Sequence, residues 1–235
     1  MLRHSPWSLP FWSLRSLFFP DPCAGCGRAL DRSTPCLCPV CMIALPHTGM
    51  AGKRGNAVER IFWGRTDVRA AYAELHFTPG SIVRNILHNI KYHDDRQAAA
   101  FMGRIMGRSI SSVGPFRDMD AIVPLPLHPV RLKKRGYNQA ELLANGMAEV
   151  CGIPVRRDIL RRVVATTTQT RRTRMERWEN VHSAFHADDE VMPRAGLILV
   201  DDVVTTGATL EAAAAALLTA PARSVCIATL AWADK

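Results

Sequence analysis

The chain has 235 residues and a formal net charge of +9, with 48% hydrophobic and 22% charged residues. That balance excludes an intrinsically disordered chain and leaves room for one full-sized α/β domain with a smaller appendage. The excess of positive charge points to an anionic partner, for which nucleic acid and phosphorylated metabolites both qualify.

Residues 1–20 are apolar and aromatic (Trp7, Phe11, Trp12, Phe18, Phe19) but are broken by Pro6, Pro10 and Arg15. The run is too short and too interrupted to span a bilayer, and it lacks the small-residue cleavage site of a signal peptide. An amphipathic lead-in packed on the domain is expected, with contact at a membrane surface as the alternative. No transmembrane segment is expected, and the expected compartment is the cytoplasm.

Seven cysteines are present, an odd number, and five fall between Cys23 and Cys41. Cys23-x2-Cys26 and Cys38-x2-Cys41 are two pairs with the spacing of metal-binding knuckles, and together they supply four thiolates for a tetrahedral site. Cys36 is the odd member: it can replace Cys38 only by giving up the two-residue spacing. Zinc is the default metal for an all-thiolate set in a reducing compartment. Four sulfurs leave no open position, so a structural role is expected, stapling a ribbon that lacks a core of its own. The expected organisation is the lead-in at 1–20, the ribbon at 21–66 and an α/β domain at 67–235.

From Arg69 onward strand and helix patterns alternate. A strand is expected over Ala70 to Phe77. A helix is expected over Pro79 to Lys91, with Ile82, Ile86, Leu87 and Ile90 on one face, and a second over Gln97 to Ile110. Ala121 to Val123 reads as a short buried strand ended by Pro124-Leu125-Pro126-Leu127, and Asn138 to Cys151 reads as a helix. Such alternation predicts a parallel sheet covered on both faces. Between Arg131 and Arg177 lie twelve Lys or Arg and only four acids. This density suits a diphosphate, a nucleic-acid backbone or a solvated surface. Tyr137 and Trp178 within it are candidates for base stacking or for the core. His88, His93 and His128 have no metal-type spacing and are assigned no chemistry.

The most specific stretch is Gly196-Leu-Ile-Leu-Val-Asp201-Asp202-Val-Val-Thr205-Thr206-Gly207-Ala208-Thr209. An apolar run reads as a buried parallel strand with two carboxylates at its carboxyl end. A Thr/Gly turn follows, then an Ala-rich helix over Leu210 to Leu218. Ligands of open α/β sheets bind at that edge, and the N–H groups of the turn and helix start suit a phosphate. Asp201 and Asp202 repel phosphate, so their targets are sugar hydroxyls or, indirectly, a magnesium ion. The alternative is a capped turn with both acids merely solvated.

These fourteen residues resemble the phosphoribosyl-diphosphate (PRPP) motif of type I phosphoribosyltransferases. A narrower resemblance, to the ComF family of competence-associated proteins with an N-terminal zinc ribbon, covers nearly the whole chain. It is carried by the four-cysteine cluster, Leu87-x3-Lys91-Tyr92, Val123 through Arg135-Gly136-Tyr137-Asn138-Gln139, a patch from Thr168 to Phe185, and the final motif. Arg171-Arg172-Thr173-Arg174 departs from the family by being more polar.

The resemblance implies a type I phosphoribosyltransferase-like parallel sheet with helices on both faces, plus the ribbon. It implies that Thr205, Thr206, Gly207, Ala208 and Thr209 hold the 5′-phosphate. Pro124, Leu125 and Pro126, with Lys91 and Arg135, complete the PRPP set and hold the pyrophosphate with Mg2+. Asp201 and Asp202 hold the ribose hydroxyls and are the catalytic candidates. Cys23, Cys26, Cys38 and Cys41 bind Zn2+. Two functions follow. One is an accessory protein of DNA uptake that handles single-stranded DNA beside a helicase-like ATPase and DNA-processing factors. The other is an active transferase moving ribose 5-phosphate to an unidentified nitrogenous base; nothing in the ribbon, which stands where a base-selecting hood is usual, specifies that base.

Overall fold

A computed structural model describes residues 21–31, 34–163, 184–188, 194–220 and 222–234. Its centre is a four-stranded sheet in the order β1-β6-β5-β2, from β1 (Ala70–Phe77), β2 (Ala121–Pro124), β5 (Gly196–Val204) and β6 (Ser224–Ala233). Every pairing in it is parallel: Ala70 faces Cys226, Gly196 faces Ser224 and Ala121 faces Leu197. All four strands therefore end at one edge. A two-stranded antiparallel ribbon, β3 (Leu160–Arg162) with β4 (Phe185–Ala187), stands apart from the sheet.

The strands alternate between two buried clusters, as the twofold period of a sheet requires. Tyr72, Leu75, Ile122, Ile198, Val200, Cys226 and Ala228 pack on one side. There they meet α3 (Ile82–Tyr92), α4 (Arg96–Ile110) and α7 (Gln139–Cys151). Ala71, Ala73, Val123, Leu197, Leu199, Val225 and Ile227 pack on the other, against α2 (Ala57–Phe62) and α8 (Ala208–Thr219). Helices thus cover both faces, as the strand–helix alternation predicts. Burial on both sides also explains why β5 is apolar from Leu197 to Val200 and β6 from Val225 to Ala228.

The expected helices appear with ends set by their caps. The helix expected from Pro79 starts at Ile82, because Ser81 Oγ accepts the Arg84 N–H. Asp95 caps α4, and Asn138 caps α7. Four short helices are added: α1 (Pro39–Ile43), α2, α5 (Gly114–Arg117) and α6 (Pro129–Arg135). Strand β5 does not stop at the acids. It continues through Asp201 and Asp202 to Val204, paired with β6 as far as Trp232. No helix among the described residues is long and apolar enough to cross a membrane. The lead-in at 1–20 and most of the patch from Thr168 to Phe185, including Trp178, lie outside the described residues.

Candidate functional site

A cleft of about 750 Å³ opens at the carboxyl edge of the sheet. It brings together Asp201 and Asp202 from β5, Leu125 and Pro126 beyond β2, Lys91 from α3, Arg135 from α6 and Thr209 from α8. Tyr92, Arg131, Lys134 and Arg162 also line it, as do Asp94, Leu127, Tyr137 and Gln139.

Asp202 is buried, and its Oδ2 lies 2.9 Å from Lys91 Nζ. The contact is an ion pair without hydrogen-bond alignment, so Oδ2 has no hydrogen-bond partner among the described residues. Asp201 turns back on the chain, its Oδ1 accepting the Asp202 N–H at 2.8 Å. Burial first, and the adjacent Asp202 charge second, push the Asp201 carboxyl up to about 8. The Asp201 side chain is partly open to the cleft yet surrounded by protein, and that environment disfavours its charged form.

The Thr205–Thr209 loop follows directly. Gly207 takes φ +73°, and a Cβ there would fall 2.5 Å from Ile61 Cγ2 and 3.1 Å from Phe62 Cε1. Glycine is thus needed twice, for its backbone angle and for its approach to α2. Arg65 fixes the loop from beyond α2, donating to the Thr206 carbonyl at 3.0 Å and pairing with Glu211. Helix α8 begins at Ala208 with no side chain capping it, so its first N–H groups stay free for an anion. Thr205, Thr206 and Thr209 are exposed.

The segment from Arg135 to Gln139 organises the opposite wall. Gly136 ends α6 in the left-handed conformation. Tyr137 is buried and donates its hydroxyl to the Ile90 carbonyl of α3, with the Arg96 guanidinium 5.1 Å over its ring. Tyr137 is thus largely buried and at the same time lines the cleft. Asn138 accepts the Ala140 N–H and donates from Nδ2 to the Leu125 carbonyl at 3.0 Å, which pins the loop beyond β2. Arg135 donates to Gln139 and lies 5.8 Å over the exposed Tyr92 ring. Arg156 and Arg157 are paired with Asp158 and Glu141, whereas Arg131 and Lys134 have no ion pair among the described residues. Arg162 stacks on Phe185 at 5.3 Å. Burial, then the Arg131 charge, lowers its guanidinium below the ordinary value. Arg65 has no motif to mark it, and Tyr92 is marked only as part of Leu87-x3-Lys91-Tyr92, without a role; Arg162 is one of twelve basic residues in the sequence, and β3 turns it to the cleft.

At the other end of α3 the sulfurs of Cys23, Cys26, Cys38 and Cys41 all lie within 4.8 Å of one another, and Cys36 is not among them. The Cys26–Cys38 separation of 3.8 Å matches the edge of a tetrahedron with metal–sulfur bonds of ~2.3 Å. The set therefore fits a metal ion. Burial opposes ionisation of Cys23, but backbone N–H groups of Cys38, Cys26 and Gly25 outweigh it and hold the thiol down at about 6. Burial pushes Cys36 up to about 12, which keeps it a thiol. The first knuckle is docked on α3: Asn85 donates to the Gly25 carbonyl at 2.8 Å and Asn89 to the Ala24 carbonyl at 2.9 Å.

No protein-family model matches the chain. It is 29% identical over 223 residues to the DNA utilization protein YhgH of Salmonella typhimurium, covering 92% of this chain and 89% of that one. It is 29% identical over 213 residues to Competence protein ComFC of Bacillus subtilis, covering 88% and 82%. Competence protein F of Haemophilus influenzae is 39% identical over 94 residues, 39% of this chain and 41% of that one. Among solved structures, the glutamine PRPP amidotransferase of B. subtilis overlays on 57% of this chain and 26% of its own, with a TM-score of 0.42 at 21% identity. Along nine-tenths of its length, with the four-cysteine cluster set ahead of a parallel sheet, the chain is thus similar to proteins named DNA utilization protein YhgH and Competence protein ComFC.

Proposed function

We propose that the chain binds PRPP with a magnesium ion at the carboxyl edge of its sheet and serves DNA uptake, including the handling of single-stranded DNA. The observation that carries the reading is the convergence in one cleft of an acidic pair, an uncapped helix start and a cationic wall. The N–H groups from Thr205 to Thr209 would take the 5′-phosphate, and Asp201 and Asp202 the ribose hydroxyls. The loop at Pro124, Leu125 and Pro126, with Lys91, Arg131, Lys134 and Arg135, would take the pyrophosphate. Magnesium would neutralise part of the diphosphate charge, and the acidic pair suits such an ion. Zinc at the four cysteines would staple the ribbon. The names of the relatives, Competence protein F, ComFC and DNA utilization protein, support the link to DNA, as does the net charge of +9. In that role the protein works in the cytoplasm beside a helicase-like ATPase and DNA-processing factors.

A second reading, an active phosphoribosyltransferase, is supported by the presence of Asp201 and Asp202 in the cleft and of Gly207 in the loop that follows them. The leaving group departs from an anomeric carbon that carries positive charge, so catalysis would rest on position and electrostatics. Calorimetric titration of the zinc-loaded chain with PRPP and Mg2+, with and without a single-stranded oligonucleotide, tests both readings. Saturable binding is expected, abolished by the double change Asp201→Asn, Asp202→Asn while oligonucleotide binding persists. A folded, metal-loaded protein that takes up no PRPP would overturn the assignment.

A further inference from the structure

The turn between α2 and β1 carries Arg65, which reaches across to a loop 141 residues further along the chain. The turn is tied to the end of α2, the Arg65 and Thr66 N–H groups both donating to the Phe62 carbonyl, at 3.0 and 3.1 Å. From there Arg65 Nη1 donates to the Ile61 carbonyl at 3.1 Å and to the Thr206 carbonyl at 3.0 Å. Its Nη2 pairs with Glu211, a buried acid in the first turn of α8. One side chain thus joins the end of α2, the Thr205–Thr209 loop and the helix that follows the loop.

We infer that Arg65 is a positioning residue for the 5′-phosphate: it sets the direction of the Gly207 N–H and cancels the acidic charge at the start of α8. The inference rests on the phosphoribosyl reading of the cleft. Arg65 is not among the described residues lining the cleft, so it acts through the loop and not on the ligand. In a trans peptide the carbonyl and the next N–H point opposite ways. Holding the Thr206 carbonyl at the guanidinium therefore turns the Gly207 N–H to the opposite side. Glycine alone does not secure this, because it accepts φ of either sign and lets the Thr206–Gly207 peptide turn over. A turned peptide would meet an anion with a carbonyl in place of a donor. The charge argument is separate. A carboxylate in the first turn of a helix is drawn by the same partial positive charge that would hold a phosphate, and it repels that phosphate. The guanidinium neutralises Glu211 through a charge-assisted contact and leaves the helix start to the ligand.

The test uses the full zinc-loaded chain and two halves of the ligand. Ribose 5-phosphate reads the Thr205–Thr209 loop, and pyrophosphate with Mg2+ reads the cationic wall. Each is titrated calorimetrically into wild type, Arg65→Ala and Arg65→Lys, with thermal melting to show that each variant is folded. Arg65→Ala should weaken ribose 5-phosphate at least about tenfold and pyrophosphate less than about twofold. Arg65→Lys keeps a charge beside Glu211 but not the planar fork. It should weaken ribose 5-phosphate about threefold and leave pyrophosphate unchanged, which decides the matter should Arg65→Ala fail to fold. Adding Glu211→Gln to Arg65→Ala removes the unpaired acid and should recover about threefold of the lost affinity. No recovery overturns the charge argument. Equal weakening of both halves, as a merely structural role would give, overturns the positioning role, as does ribose 5-phosphate affinity that neither Arg65 variant alters. Failure of both PRPP and ribose 5-phosphate to bind folded wild type overturns the functional reading and the inference with it.

Discussion

Replacing Asp201 by Asn should make the protein more stable at pH 8 while costing it its ligand. The Asp201 carboxyl is pushed up to about 8 in the folded chain, whereas an unfolded aspartate titrates near ~3.9. Between those values the folded state holds a proton that the unfolded state has lost. Its contribution to stability is complete below about pH 4 and is lost as pH rises toward 8. At ~1.4 kcal/mol per pH unit the formal ceiling is about 5 kcal/mol, and access of cleft water to a partly exposed side chain reduces this to about 2 kcal/mol. Asparagine is the neutral isostere, and its Oδ1 can still accept the Asp202 N–H that Asp201 now accepts at 2.8 Å. The variant should therefore match wild type near pH 6 more closely than at pH 8, where it should melt about 4–8 °C higher. Thermal unfolding of ligand-free, zinc-loaded protein from pH 6 to 8.5 checks this, a range in which the thiolate ligands stay metallated. A variant no more stable than wild type at pH 8, or one whose advantage does not change with pH, refutes the reasoning. A gain in stability with loss of PRPP binding marks a residue kept for its ligand and not for the fold.

Gly207→Ala drives a methyl to 2.5 Å from Ile61 Cγ2 at φ +73°; it should cost about 2 kcal/mol or more in chemical denaturation and at least about tenfold in PRPP affinity. Cys41→Ser should release the metal, measured by a colorimetric zinc chelator, whereas Cys36→Ser, outside the four-sulfur cluster, should keep the full metal content. Tyr137→Phe removes the hydroxyl that binds the Ile90 carbonyl and should cost about 1–2 kcal/mol of stability in urea unfolding, with zinc content unchanged.

The parts of the fold legible in the sequence were those set by local rules. The eight-residue strand from Ala70 to Phe77 and helices α3, α4 and α7 followed from apolar periodicity, whereas the start of α3 expected at Pro79 is moved to Ile82 by the Ser81 cap. The four-cysteine set was legible because knuckle spacing is itself local. Helices α1, α2, α5 and α6 were not: at four to seven residues they are too short for a period and are held by their neighbours. The strand with two carboxylates at its carboxyl end was legible, but its run through them to Val204 depends on pairing with β6. The ion pair of Lys91 with Asp202 links positions 111 residues apart and has no trace in either local pattern. The motif around Tyr137 stood out for its chemistry, yet the tyrosine and Asn138 serve to hold α3 and the loop beyond β2 in place.

Helix α3 is where these separate features join. It receives the cysteine knuckle along one side through Ile82, Asn85 and Asn89: a Cβ on Gly25 would lie 2.8 Å from Ile82 Cγ2, so the contact leaves no slack. Its last turn receives Tyr137 at the Ile90 carbonyl and presents Lys91 to Asp202. A helix of eleven residues spans about 16 Å and is stiff over that length. A knuckle that loosens when its metal leaves therefore acts on the same rigid body that places the cation beside the acidic pair. The buried cysteines and the inner face of α3 (Val83, Ile86, Leu87, Ile90) are parts of one buried cluster of side chains, and the cleft keeps its Lys91–Asp202 ion pair only while α3 keeps its seat.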